Sequence, residues 1–181
     1  CAVPQPREIG AGALLWGPGL GGTWPRTCLV GPDWPCAVVT ISLIVGISAA
    51  WIVYVAETAG ALFAAVGVLS TLLTLLCFCK TAFSDPGIQA KQPVLVVDES
   101  SANIVCPHCN VYRARGTFHC LMCNACVERL DHHCPWTGKC IGRRTIRYFR
   151  AFLGMLSLHI VFVIISIGVR FIESADASLG T

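Results

Sequence analysis

Between Cys106 and Cys140 the chain concentrates side chains that bind metals, cross-link or act as nucleophiles: Cys106, His108, Cys109, His119, Cys120, Cys123, Cys126, His132, His133, Cys134 and Cys140. Seven of the 12 Cys and four of the five His lie there, which calls for metal, disulfide or thiol chemistry. Cys106 with Cys109, and Cys120 with Cys123, have the Cys-x2-Cys spacing of a zinc knuckle. An internal repeat sorts the remaining ligands. Adding 14 to Cys106, Cys109, His119 and Cys126 gives Cys120, Cys123, His133 and Cys140, matched in type at every position. Three Cys and one His, twice over, are what two closed tetrahedral structural zinc sites require. Because the two sets interleave along the chain, filling both would knit the region into one unit.

His108, His132 and Cys134 are left outside the sets. His108, inside its own knuckle, is expected to be structural or exposed. Cys134 lies 14 beyond Cys120, but Thr137 and Arg147, which would continue a third copy, cannot ligate zinc. Asp131 and His132 stand beside this spare thiol. At an unperturbed pKa of ~8.5 a Cys is only slightly ionised at neutral pH, and a neighbouring imidazole can take its proton. A carboxylate can in turn fix the imidazole's tautomer. Asp131, His132 and Cys134 therefore have the types needed for a nucleophile, a base and an orienting group. The plainer alternative is a spare thiol beside a solvated His.

The elements that must hold this stretch are apolar. Hydrophobic residues make up 55% of the chain and charged residues 13%, a composition that excludes an ordinary soluble globule. Residues 36–56 and 61–79 are uncharged runs long enough to cross the ~30 Å hydrocarbon core as helices. A third span is expected over residues 148–170, with His159 in its middle facing a neighbouring helix. Residues 1–35 are so rich in Gly and Pro that an irregular leader is expected, and residues 81–105 read as a turn and linker, with one short strand at Val94–Val97. Residues 171–181 read as a short tail. The chain starts at Cys1 and stops soon after an apolar run, so a fragment of a longer protein is expected.

Ten of the 13 Lys and Arg lie between Lys80 and Arg150, which by the positive-inside rule puts that segment in the cytosol. Disulfides are rare there, leaving metal and thiolate chemistry. The expected fold class is mainly α: polytopic membrane helices, three in this chain, with a cytosolic two-zinc cysteine-rich domain of short strands and loops over residues 106–147. Lys139, Arg143, Arg144 and Arg147 would either attract anionic groups or only enforce topology.

Through Cys106 to Cys140, Asp85-Pro86-Gly87 after the second span and Tyr148-Phe149 at the third, the chain resembles the DHHC family of protein S-acyltransferases (palmitoyltransferases). The resemblance implies a membrane enzyme in which Cys134 is the acylated nucleophile, His132 its base and Asp131 the residue orienting His132. It implies two structural zinc ions, one on Cys106, Cys109, His119 and Cys126, the other on Cys120, Cys123, His133 and Cys140. Palmitoyl-CoA would be co-substrate. Apart from the resemblance, the anionic groups that Lys139, Arg143, Arg144 and Arg147 would attract, if they do not only enforce topology, are CoA phosphates or lipid head groups. Substrate proteins with membrane-proximal Cys, membrane lipids and an accessory subunit would be partners, with no nucleic acid. The expected location is the Golgi, endoplasmic reticulum or plasma membrane. The flanks at 109–113, 127–130 and 140–144 are similar to the branch that includes Ras-acylating enzymes. Two local departures stand out: Ala114-Arg115-Gly116 where the family has a Pro and then Arg, and Thr145 where it has Asn. A membrane-anchored zinc adaptor of RING type would explain the zinc sets but leave Asp131, His132 and Cys134 idle.

Overall fold

The computed structural model describes residues 10–17, 20–56, 60–89 and 104–179. They fall into two units, residues 1–40 with 78–150 and residues 41–77 with 151–181. The helices are α1 (Trp34–Trp51), continued by a π-helical turn Ile52–Ala56, α2 (Ala61–Phe83) and α3 (Ile146–Leu179). All three are long and apolar enough to cross a membrane. The strands are β1 (Ala13–Trp16), β2 (Cys28–Val30), β3 (Ile104–Val105), β4 (Tyr112–Arg113), β5 (Thr117–Cys120), β6 (Ala125–Glu128), β7 (His132–Cys134) and β8 (Lys139–Ile141). They form four separate antiparallel hairpins, β1-β2, β3-β4, β5-β6 and β7-β8.

Three boundaries differ from the sequence expectation. The leader is not wholly irregular: β1 pairs with β2 antiparallel, with an irregularity between Leu14 and Trp16. Strands of four and three residues fit between the Gly and Pro residues, so the density of breakers did not exclude them. Helix α2 runs past Cys79 and Lys80 to Phe83, since nothing stops it before Asp85-Pro86. Helix α3 continues through the expected tail to Leu179, over helix-compatible residues with an Arg170–Glu173 ion pair at 3.1 Å. The strand expected at Val94–Val97 lies outside the described residues.

In the first unit, two clusters rich in Cys take the place of a large aliphatic core. One joins Leu29, Ile88, Cys120, Cys123, Ala125, Val127 and Cys140. The other joins Cys106, Cys109, Val111 and Cys126. Asp85 ties the segments around them together. Its carboxylate is fully buried and accepts N–H bonds from Gly21 (2.6 Å), Gly87 (2.9 Å) and Ile88 (2.8 Å), while the Arg144 guanidinium pairs with it at 2.5 Å. Gly87 adopts φ 110°, which opens the turn that lets two of those N–H groups converge. Thr145 begins α3: its carbonyl accepts the Phe149 N–H (2.9 Å) and its hydroxyl accepts the Gly142 N–H (3.1 Å). A side-chain oxygen thus does here what Asn could also do. Ala114-Arg115-Gly116 forms a turn between β4 and β5, with Gly116 at φ 82° and the Thr117 N–H donating to Ala114 O (2.9 Å).

In the second unit Trp51, Val55 and Val163 form a core with Phe63 and Phe162. A Cβ at Gly67 would lie 2.2 Å from the Trp51 ring, so only Gly admits that indole. His159 is buried, as expected, with Nε2 3.1 Å from Ser48 Oγ and Nδ1 2.9 Å from Ser70 Oγ. One imidazole therefore links residues on all three helices.

Asp85→Ala is expected to cost about 3 kcal/mol or more, because three backbone N–H groups and a guanidinium lose their acceptor. Arg144→Ala leaves the three N–H bonds intact and should cost about 1–2 kcal/mol. Thermal unfolding in detergent would show the order, and a larger loss for Arg144→Ala would contradict it. His159→Leu should cost only about 1 kcal/mol, since both serines keep bonds to their own helices (Ser48 to Ile44 O at 2.7 Å, Ser70 to Gly67 O at 2.8 Å).

Candidate active site

The 14-residue repeat is a repeat of hairpins. Val105 pairs with Tyr112 across β3-β4, and adding 14 twice gives His119 with Cys126 across β5-β6 and His133 with Cys140 across β7-β8. The backbone repeats as well, since Asn110 (φ 52°), Asn124 (φ 47°) and Gly138 (φ 82°) all take the left-handed conformation that closes each loop. Each metal set combines the loop of one hairpin with the stem of the next. Cys106 and Cys109 face His119 and Cys126; Cys120 and Cys123 face His133 and Cys140. Directly paired positions on neighbouring strands share a face, so each stem supplies its His and Cys side by side.

The donor sets fit zinc. In each, the ligand atoms all lie within 4.8 Å of one another. His133 Nδ1 is 3.5, 3.4 and 3.7 Å from the sulfurs of Cys120, Cys123 and Cys140, and the Cys123 and Cys140 sulfurs are 3.4 Å apart. His119 Nδ1 is 3.2 Å from Cys109 Sγ and 4.0 Å from Cys126 Sγ. Zn–S bonds of ~2.3 Å in a tetrahedron require sulfurs about 3.8 Å apart. Crowded thiols cannot all ionise without a cation between them. A hydrogen bond from Cys140, with further help from His133, draws Cys123 down to about 6 despite its burial, whereas its pairing with Cys123 pushes Cys140 up. Burial lowers the His119 pKa, with His108 and Arg113 adding to it, and favours the neutral imidazole that a metal needs. His108 stacks on His119, with ring centroids 4.7 Å apart.

Cys134 belongs to neither set. It occupies the loop position that Cys106 and Cys120 fill in the earlier hairpins. Where a second loop Cys would stand is Thr137, buried, with its hydroxyl donating to Cys134 O at 3.2 Å. The loop is a 3-10 turn, Pro135–Thr137, in which a proline and the Thr137 hydroxyl bond stand where the earlier loops carry a second Cys. Side chains alternate along a strand, placing His132 and Cys134 on one face of β7 and the metal-set residue His133 on the other. Asp131 Oδ2 is 2.7 Å from His132 Nδ1, and the Phe149 ring lies edge-on to the imidazole at 5.1 Å. With Nδ1 engaged, Nε2 is the nitrogen left for proton transfer. His132 is 38% exposed at its side chain, while Cys134 is buried.

The four basic residues grouped from sequence do not form one patch. Lys139 is a correction: it is buried, and its Nζ donates to Leu29 O at 2.6 Å. Burial pulls its pKa down to about 7 against the pull of nearby Asp85 and the sulfurs of Cys28, Cys123 and Cys140. Arg144 is taken by Asp85. Arg143 pairs with Glu128 at 3.2 Å, and Arg147 lies over the Tyr148 ring. Sequence reasoning missed Asp33, whose Oδ2 is 2.6 Å from His133 Nε2. No spacing could have signalled it, because it sits 100 residues away among Gly and Pro.

Residues 99–179 match the family model for the DHHC palmitoyltransferase domain. The chain is 34% identical over 158 residues to palmitoyltransferase ZDHHC9 of Homo sapiens, covering 66% of this chain and 43% of that protein. It is 39% identical over 106 residues to palmitoyltransferase ZDHHC5-B of Danio rerio, 50% of this chain and 16% of the relative. Against palmitoyltransferase ZDHHC18 of Mus musculus it is 29% identical over 137 residues, 61% and 36% of the two chains. The chain thus spans less than half the length of these relatives. Two hairpin-built Cys/His sets and a thiol outside both thus lie within residues 99–179, the part of the chain that matches the model of the DHHC palmitoyltransferase domain.

Proposed function

We propose that the chain is the catalytic part of a protein S-acyltransferase that moves a long acyl group from acyl-CoA to Cys thiols of membrane-associated proteins. The observation that carries this reading is the Asp131–His132 pair at 2.7 Å, set beside a thiol that neither metal set uses. His132 Nε2 takes the Cys134 proton, and the thiolate attacks the thioester carbonyl. The bond from that carbonyl to the CoA sulfur breaks, and the leaving thiolate takes the proton from His132. In the second half a substrate Cys gives its proton to His132 and attacks the acyl-Cys134 carbonyl. Cys134 leaves as thiolate and is reprotonated. Asp131 keeps Nδ1 protonated through both halves.

Zinc in the two sets would act as cross-link, not as Lewis acid, because each set supplies four protein ligands and keeps no open position. It would hold β7 and β8 together through His133 and Cys140. Membrane helices suit the acyl group, since each buried methylene contributes ~0.8 kcal/mol. Arg143 and Arg147, both exposed, are the basic residues suited to CoA phosphates or lipid head groups. We place the first unit's hairpins on the cytosolic side, following the distribution of Lys and Arg. Substrate proteins with membrane-proximal Cys and an accessory subunit are the partners in this reading.

Cys134→Ser should abolish hydroxylamine-sensitive labelling of the protein by an acyl-CoA analogue while leaving about two zinc per chain; labelling that persists would overturn the assignment of the nucleophile. His132→Ala should slow acyl-enzyme formation by about 100-fold or more without loss of metal. Loss of zinc along with activity in that variant would instead make His132 a structural residue.

A further inference from the structure

His133 is held from two sides. Its Nδ1 points to the three sulfurs of the second set, and its Nε2 meets Asp33 Oδ2 at 2.6 Å. For His119, its counterpart in the first set, the described residues supply no such carboxylate: His119 Nε2 is buried without a hydrogen-bond partner among them. Sets related by an exact repeat therefore differ in what stands behind the histidine.

Asp33 is also fixed to the reactive loop by its backbone. Its N–H donates to Gly138 O at 3.1 Å, and Thr40 Oγ1 donates to Trp136 O at 2.9 Å. Leu29 O accepts from Lys139 Nζ. At Gly31 a Cβ would lie 2.1 Å from Gly138 O and 2.3 Å from Lys139 Cβ, so Gly is needed for the two strands of chain to approach so closely. The segment from Leu29 to Thr40 thus grips the loop that follows Cys134 at several points.

We propose that Asp33 is a positioning residue of the active site: its carboxylate orients His133 as a metal ligand through Nε2–H and thereby holds the β7 strand that carries His132 and Cys134. A carboxylate on the far nitrogen fixes the tautomer in which Nδ1 carries the lone pair and makes that nitrogen a better donor. The second set then binds its metal more tightly than the first for a reason outside its own ligands. This inference rests on the reading of Cys120, Cys123, His133 and Cys140 as a zinc set.

The test uses the purified protein in detergent, loaded with zinc and challenged with the chelator 4-(2-pyridylazo)resorcinol, with freed thiols mapped by alkylation and mass spectrometry. In Asp33→Asn, one zinc equivalent should leave about 10- to 100-fold faster, with Cys120, Cys123 and Cys140 becoming alkylated and the release from Cys106, Cys109 and Cys126 unchanged. Asp33→Glu should recover part of the difference. Unchanged release in Asp33→Asn, equal acceleration of both equivalents, or no recovery in Asp33→Glu would overturn the proposal. A parent protein that binds no zinc at all would instead refute the zinc reading itself. If Asp33→Asn retains neither metal, 15N-histidine NMR of the parent protein decides. A His133 Nε2–H proton shifted downfield of that of His119 supports the role of Asp33, and equal shifts overturn it.

Discussion

Convergence of sulfur and imidazole on two points is the constraint on which the first unit depends. Hairpins with stems of two to four residues are not stable alone in water, and here each stands as a separate two-stranded sheet. The buried clusters are built largely from Cys106, Cys109, Cys120, Cys123, Cys126 and Cys140 with only a few aliphatic side chains such as Leu29, Ile88 and Val127. Thiols cannot supply what a larger apolar core would, and metal ligation in the two sets would contribute folding free energy in its place. Each set draws its loop from one hairpin and its stem from the next, so a metal in each would join three weak units into one continuous chain of cross-links.

The thiol outside both sets follows from the same construction. A third loop of the same kind arises at Cys134, but no further stem answers it: 14 beyond His133 is Arg147, already in α3. Cys134 keeps the loop position of a ligand but belongs to neither set. Thr137 and the Pro135–Thr137 turn replace the missing bonds by covalent stiffness and one hydroxyl bond. Strand alternation then puts two adjacent histidines on opposite faces of β7, His133 in its metal set and His132 beside Asp131.

Packing of charge sets the remaining order. Asp85 gathers donors from Gly21, Gly87, Ile88 and Arg144, so the leader, the end of α2 and the start of α3 meet at one carboxylate. Lys139 is held in the interior by Leu29 O, within range of thiols that would be negative when metal-bound. Buried charges of this kind add little net stability when satisfied but cost a great deal when one partner is removed. Their value here is in register, because each pins a segment with no core of its own.

Ligand sets, spans and the exceptional status of Cys134 were all legible in the sequence, since each depends on residue type and local spacing: the 14-residue offset in one case, uncharged runs in another. Strand registers then followed the same offset. What only the tertiary structure decided concerns pairs remote along the chain. The β1-β2 hairpin escaped notice because strands of three or four residues carry too few alternations to stand out among Gly and Pro. Lys139 looked like a surface cation because charge alone says nothing about burial. Asp33 and His133 are 100 residues apart, and a hydrogen bond across that distance leaves no periodicity, motif or composition to read. Sequence determined which side chains could bind metal or attack a thioester; folding in three dimensions decided which carboxylate stands behind which imidazole.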